Sequence, residues 1–138
     1  MKFTLSWLKD YLDTTASIDE ICEGLIGVGL EVEEVSDMTK ALAPFKVGYV
    51  QHAEKHPNAD KLTLTKVNIG NGGAVQIVCG APNVAAGQKV VVATVGTTIY
   101  PTTGEPLTMK VAKIRNVESY GMICAEDEVG LGASHAGI

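Results

Sequence analysis

The sequence predicts a mainly β protein: a small five-stranded barrel behind an N-terminal arm of helices and short strands. Three observations predict it. After residue 46 the apolar residues fall in short runs, several alternating with polar ones as half-buried strands do. Corners rich in glycine, proline and asparagine, such as Gly70-Asn71-Gly72-Gly73 and Gly80-Ala81-Pro82-Asn83, separate the runs. Before residue 40 the apolar spacing is helical instead. With 138 residues, 46% of them apolar and 20% charged, the chain can bury a core and is not a disordered tail.

In the arm, Leu5, Leu8 and Leu12, with Trp7 and Tyr11, give a short helical face, and Ser6 is its expected N-cap. Ser17-Ile18-Asp19-Glu20 reads as a capping box, in which Ser17 and Glu20 each satisfy a free amide of the first turn. Ile21, Leu25 and Ile26 supply a stripe expected to be buried, and Gly27 and Gly29 end the helix. A short strand before the first helix and a second at Leu30-Glu31-Val32 complete the arm. Ala41-Leu42-Ala43-Pro44 reads as a linker. The expected division is therefore an α+β arm over residues 1–40 and a barrel over residues 41–138.

Val47-Gly48-Tyr49-Val50 opens the first barrel strand, and His56-Pro57-Asn58-Ala59-Asp60 is a loop of turn formers. Leu62, Leu64, Val67 and Ile69 make the second strand, whose alternation slips once, as a bulge would cause. Gly70-Asn71-Gly72-Gly73 predicts a hairpin, because Asn-Gly tolerates the positive φ angles of a tight primed turn. Val75 to Cys79 is the third strand. Val90 to Val95 is the fourth, apolar throughout and so expected to be covered on both faces. Leu107 to Ile114, and then Gly121 to Cys124, supply an interrupted fifth. Five short strands with glycine-rich corners fit a small barrel, for which the OB-fold is the commonest five-stranded solution.

Several function classes are disfavoured. No apolar run approaches the roughly 20 residues of a membrane span, and the start, Met1 to Trp7, lacks the features of a signal peptide. Cys22, Cys79 and Cys124 are too few and too scattered for a disulfide framework, so a reducing cytoplasm is expected. His52 and His56, on a strand and a loop, do not share a helical face as paired metal ligands would. Cys79 and Cys124 read as small core residues, and no third group orients a Cys–His nucleophile pair. Gly70 to Gly73 lacks the Lys-Ser/Thr and the helix of a phosphate loop. Neither a catalytic nor a metal site is expected. The net charge is −5, but it is unevenly spread: −6 over residues 1–40, +5 over 41–116 and −4 over 117–138. Binding follows the local field, and the basic middle suits a phosphate-bearing partner.

Three segments are specific: His56-Pro57-Asn58-Ala59-Asp60-Lys61-Leu62, Ile77-Val78-Cys79-Gly80-Ala81-Pro82-Asn83-Val84 and Ile114-Arg115-Asn116-Val117-Glu118-Ser119-Tyr120-Gly121-Met122-Ile123-Cys124. Each resembles a motif of the tRNA-binding domain shared by synthetase β subunits, methionyl-tRNA synthetase tails, free-standing tRNA-binding chaperones and the EMAP-II precursor. Leu5 to Leu12, followed by Gly27-Val28-Gly29-Leu30-Glu31-Val32-Glu33, resembles the opening of bacterial phenylalanyl-tRNA synthetase β chains. The resemblance implies an OB barrel inserted into a small interrupted domain, with residues 1–40 as its first half and the chain as a fragment of a longer subunit. It implies tRNA as partner and an α subunit in an (αβ)₂ heterotetramer. It also implies ATP and Mg²⁺ for the whole ligase, and no cofactor for this fragment. Two positions depart from the pattern: Asn116 stands where many relatives have glycine, and Ala125 where serine is common.

The motif residues divide by chemistry. Lys55, Lys61, Lys110, Lys113 and Arg115 are expected to contact phosphates, giving affinity without sequence choice. Asn58, Asn83 and Ser119 are short hydrogen-bonding side chains suited to 2′-hydroxyls and phosphate oxygens, although Asn58 and Asn83 equally suit the turns they occupy. Met122 is expected against a sugar or base, or in the interior. Asp60 braces its loop. Aromatic content of 5% argues against a stacking platform for single strands. Two rival readings stand beside RNA binding within the ligase: a free-standing tRNA chaperone, and an assembly module that scarcely touches RNA.

Overall fold

The computed structural model describes residues 1–71, 73–101 and 104–138 and divides into two compact units, Met1–Asp37 and Met38–Ile138. In the first unit, helix α1 spans Leu5–Lys9 and helix α2 spans Ile18–Gly27. The N-cap of α1 is Thr4, not Ser6: Thr4 has the extended backbone of a cap, and its hydroxyl accepts the Trp7 N–H at 3.1 Å. The capping box forms as the sequence predicts, with Ser17 N–H donating to Glu20 at 2.8 Å and Glu20 N–H to the Ser17 hydroxyl at 3.3 Å. Gly29 takes φ 87° and closes α2 in a Schellman motif, with Leu30 N–H on the Leu25 carbonyl and Gly29 N–H on that of Ile26, both at 2.9 Å.

Two sequence expectations fail in this unit. Neither helix buries a residue, so the stripe of Ile21, Leu25 and Ile26 is not a core. Among the described residues no strand forms before α1 or at Leu30–Val32. A strand needs a neighbour to take its N–H and C=O groups, and an amphipathic helix of a few turns needs an opposing surface. This unit has, among the described residues, no second strand to pair with, and it leaves Ile21 and Leu25 half-buried and Ile26 exposed.

The second unit begins with helix α3, Met38–Leu42, where the sequence suggests a linker. Its last residue, Leu42, packs with Phe45 on an apolar cluster of the barrel, which holds the segment in place. The strands are β1 (Lys46–Lys55), β2 (Thr63–Asn68), β3 (Ala74–Cys79), β4 (Lys89–Thr94), β5 (Thr98–Ile99), β6 (Leu107–Thr108), β7 (Ala112–Ile114), β8 (Val117–Ser119) and β9 (Gly121–Ile123). The five-stranded antiparallel sheet has the order β3-β2-β1-β4-β9. Strand β3 meets the junction of β8 and β9 at a seam: Tyr120 N–H donates to the Gln76 carbonyl at 2.9 Å, and Val78 N–H to the Ser119 hydroxyl at 3.0 Å. That closure gives the five-stranded barrel. The expected fifth strand is reassigned in part, because Leu107 pairs with Ile99 and Ile114 with Val117, leaving β9 alone to pair with β4.

Val50, Val67, Ile77, Cys79, Val90, Val92 and Ile123 fill the barrel, each large apolar side chain contributing about 1.5–3 kcal/mol by leaving water. Gly48 faces this core without room for more: a Cβ there would lie 2.6 Å from a Val67 methyl and 2.7 Å from one of Val92. The slip in the second strand is not a bulge. Thr65 takes the inward position, buried, with its hydroxyl donating to the Ile77 carbonyl at 2.8 Å. The register shift lies instead in β1, between Val50 and His52. Strand β4 is covered on both faces: Val90 and Val92 enter the barrel, while Ala93 joins Ile99, Met109, Cys124 and Val129 in a second cluster. At the β2–β3 corner Gly70 and Gly73 take positive φ, and Gly73 N–H donates to the Gly70 carbonyl at 2.8 Å. The expected Asn71-Gly72 primed turn includes Gly72, which lies outside the described residues.

Candidate nucleic-acid interface

Two connections of the barrel meet at one end, the β1–β2 loop and the β7–β8 turn. His56 N–H donates to the Leu62 carbonyl at 3.0 Å and ties off the base of the loop. The His56 ring is 2% exposed. Its Nδ1 accepts the Asn58 N–H at 3.0 Å, so the ring proton sits on Nε2, which donates to the Ile114 carbonyl at 3.2 Å. The Asn58 side-chain amide reaches the next carbonyl, that of Arg115, at 3.0 Å. Within the loop, Lys55 pairs with Asp60 at 2.6 Å.

Arg115 and Asn116 form the two-residue turn between the paired Ile114 and Val117, with φ of 49° and 69°. Positive φ at both positions is the primed geometry that suits the twist of a hairpin. Asn116 tolerates it, as the sequence suggests. Arginine does not prefer it, and the left-handed conformation costs a β-carbon-bearing residue roughly 1–2 kcal/mol. Lys61, at the end of the β1–β2 loop, Lys113 and Arg115 are all exposed. Lys113 stands opposite Glu118 in the register, but the Glu118 carboxylate accepts the Tyr120 hydroxyl at 2.6 Å. Both that hydrogen bond and the charge of Glu118 push the Tyr120 phenol upward.

The structure separates the other expected contact residues. Ser119 is corrected: it is 2% exposed, and its hydroxyl is committed to the Val78 N–H and, as donor at 3.0 Å, to the Gly121 carbonyl. A buried hydroxyl in a strand seam does not reach RNA. Asn83 is engaged with the main chain of Ile138, donating to its carbonyl at 2.5 Å and accepting its N–H at 3.0 Å. Met122 is half-buried against the second cluster. Lys110 is exposed at the rim of an open groove of about 670 Å³, lined by Pro82, Leu107, Met122 and Ile138 among others. Lys55 is exposed but partnered. Of the expected set, Asn58 and Arg115 are joined by a hydrogen bond at one end of the barrel, with Lys61 in the β1–β2 connection and Lys113 in β7 on the two segments so joined. Sequence reasoning missed His56 as a structural joint, and the signal available was its place directly before Pro57-Asn58 in a turn.

Asp127, Glu128 and His135 come close enough to suggest a cation site. They are already used: His135 Nδ1 lies 3.0 and 3.1 Å from the two Asp127 oxygens, and Glu128 accepts the Ala125 N–H at 2.7 Å. The hydrogen bond to Asp127, with the charges of Asp127 and Glu128, raises the His135 pKa. Cys79 and Cys124 are buried, and burial pushes both thiols up, Cys124 to about 12. Thiols held protonated in apolar surroundings are inert rather than nucleophilic. No helix among the described residues is long and apolar enough to cross a membrane.

Residues 45–138 match the family model described as "Putative tRNA binding domain". Over its whole length the chain is 53% identical to the phenylalanine–tRNA ligase β subunit of Bacteroides thetaiotaomicron and 54% identical to that of Paramagnetospirillum magneticum. The chain spans 17% of the length of each of these relatives. Among solved structures it is similar to a MetRS-related protein from Pyrococcus horikoshii, with 27% identity, a TM-score of 0.46, and coverage of 66% of this chain and 76% of that one.

Proposed function

This chain belongs to the tRNA-binding domain family, and on that premise we propose that it is the non-catalytic tRNA-binding module of a phenylalanine–tRNA ligase β subunit. The observation that carries the reading is that Lys61, Lys113 and Arg115 are exposed on two segments locked together by His56 and Asn58. Lysine and arginine at a rigid barrel end suit phosphates, and the loop between the first two strands is a place where OB-folds bind nucleic acid. Interactions of this kind recognise the folded shape of an RNA backbone more than its sequence. In the longer protein the module works beside an α subunit, in an (αβ)₂ ligase that uses ATP and Mg²⁺ in the cytoplasm.

Anisotropy titration of tRNA with the full chain at two salt concentrations tests the reading. Micromolar or weaker affinity is expected, with little preference for the phenylalanine acceptor. Two to four neutralised phosphates give a logarithmic salt slope of roughly −2 to −4. Binding indifferent to salt, or none at low salt, would count against it. A second reading, in which residues 1–40 serve subunit assembly, rests on the exposure of Trp7 (55%), Leu12 (49%), Ile26 (59%) and Leu30 (57%) in the first unit. Side chains of this kind gain by being covered.

A further inference from the structure

We propose that Asn58 and His56 are positioning residues for RNA, holding Arg115 in its left-handed backbone conformation so that its guanidinium meets one stretch of phosphodiester backbone together with Lys61. The proposal rests on the tRNA-binding reading and names which residues prepare the site.

Both positioning residues are tied into the protein. Both ring nitrogens of His56 are engaged inside the protein, and the Asn58 side-chain amide donates to the carbonyl of Arg115 itself. The residue so held is the one with the unfavourable backbone angle, φ 49°. Glycine or asparagine would form this turn with less strain. An arginine there is explained by what its side chain does, and observed strain held by its surroundings points towards function. Among the described residues, no ion pair engages the Arg115 guanidinium or the Lys61 ammonium. The local acids are otherwise occupied: Asp60 pairs with Lys55, and Glu118 accepts the Tyr120 hydroxyl. Two unspent cations on segments cross-linked by two hydrogen bonds need little ordering when a phosphate arrives, and preorganisation of this kind raises affinity.

A double-mutant cycle on the full 138-residue chain tests this, using fluorescein-labelled unfractionated tRNA and anisotropy with N58A, R115A and the double variant. N58A is expected to weaken binding roughly three- to tenfold and to flatten the salt slope towards that of R115A. In the R115A background, N58A should change affinity by less than about twofold. Asn58→Gln, which retains the carboxamide donor, should recover part of the loss. Equal losses from N58A in both backgrounds would overturn the proposal, as would no loss in a wild-type chain that binds. A wild-type chain that does not bind at low salt overturns the tRNA-binding reading, and the proposal with it. Because Asn58 is exposed, the fold of N58A is expected to survive. Should it not, Asn58→Leu, which keeps the side chain's size and removes the donor, poses the same question in both arginine backgrounds.

Discussion

The Nε2 of His56 donates to the carbonyl of Ile114 at 3.2 Å, across 58 positions of sequence. With Asn58 on Arg115 it makes one rigid piece of two connections that the chain order keeps apart. His56→Ala would leave the Ile114 carbonyl and the Asn58 N–H without these partners. A hydrogen bond of this kind is worth about 0.5–1.5 kcal/mol net, and a barrel of this size should lose about 4–8 °C in melting temperature per kcal/mol. Thermal unfolding followed by circular dichroism checks this. A melting temperature equal to that of the wild type would mean that the ring is not a joint.

Ser119→Ala removes the hydroxyl acceptor of the Val78 N–H at the barrel seam. The expected cost is about 1–3 kcal/mol. Its specific mark is local. The amides of Val78 and Tyr120, both donors across the seam, should lose hydrogen-exchange protection before those of β1 and β2 do.

His135 should titrate above the ordinary 6.5, because its hydrogen bond with Asp127 and the charges of Asp127 and Glu128 favour the protonated ring. A pKa raised on folding gives stabilisation that is complete below the unfolded value and is lost as pH rises through the folded one. The tether between residues 127 and 135 should therefore loosen on the alkaline side. NMR titration of the His135 ring would show the raised value in the wild type and its return towards 6.5 in Asp127→Asn. An unchanged value in that variant would contradict the pairing.

Cys124 should resist alkylation by iodoacetamide at about pH 8 in the folded chain and react on unfolding, because burial holds its thiol up to about 12. Mass spectrometry of the labelled peptides reads the outcome. Rapid labelling of Cys124 under native conditions would mean that the second cluster opens readily.

What was legible in the sequence was mostly local. The capping box of Ser17 and Glu20, the positive φ at Asn116 and the corners at Gly70 and Gly73 depend on residues within a few positions of one another. The double burial of β4 was legible from its unbroken apolar run. Long-range partners were not. Ser119 looks like a surface hydroxyl until Val78, 41 positions earlier, supplies its N–H. Thr65 breaks the apolar alternation because the Ile77 carbonyl satisfies it inside the barrel. The strand expected at Leu30–Val32 failed for the opposite reason, since its own pattern suits a strand but nothing in its unit pairs with it. In the site, the cations were found by charge and motif, whereas the roles of His56 and Asn58 depend on carbonyls 58 and 57 positions away.

The most direct measurement of the central claim is the affinity of the Lys61→Ala, Arg115→Ala double variant for tRNA across a salt series. If these two side chains neutralise phosphates, affinity falls for all tRNAs alike. The logarithmic salt slope then flattens by about one unit for each phosphate no longer neutralised, roughly two in all. Unchanged affinity and an unchanged slope would contradict the account, and would move the RNA-binding surface away from the end of the barrel where His56 and Asn58 join the two connections.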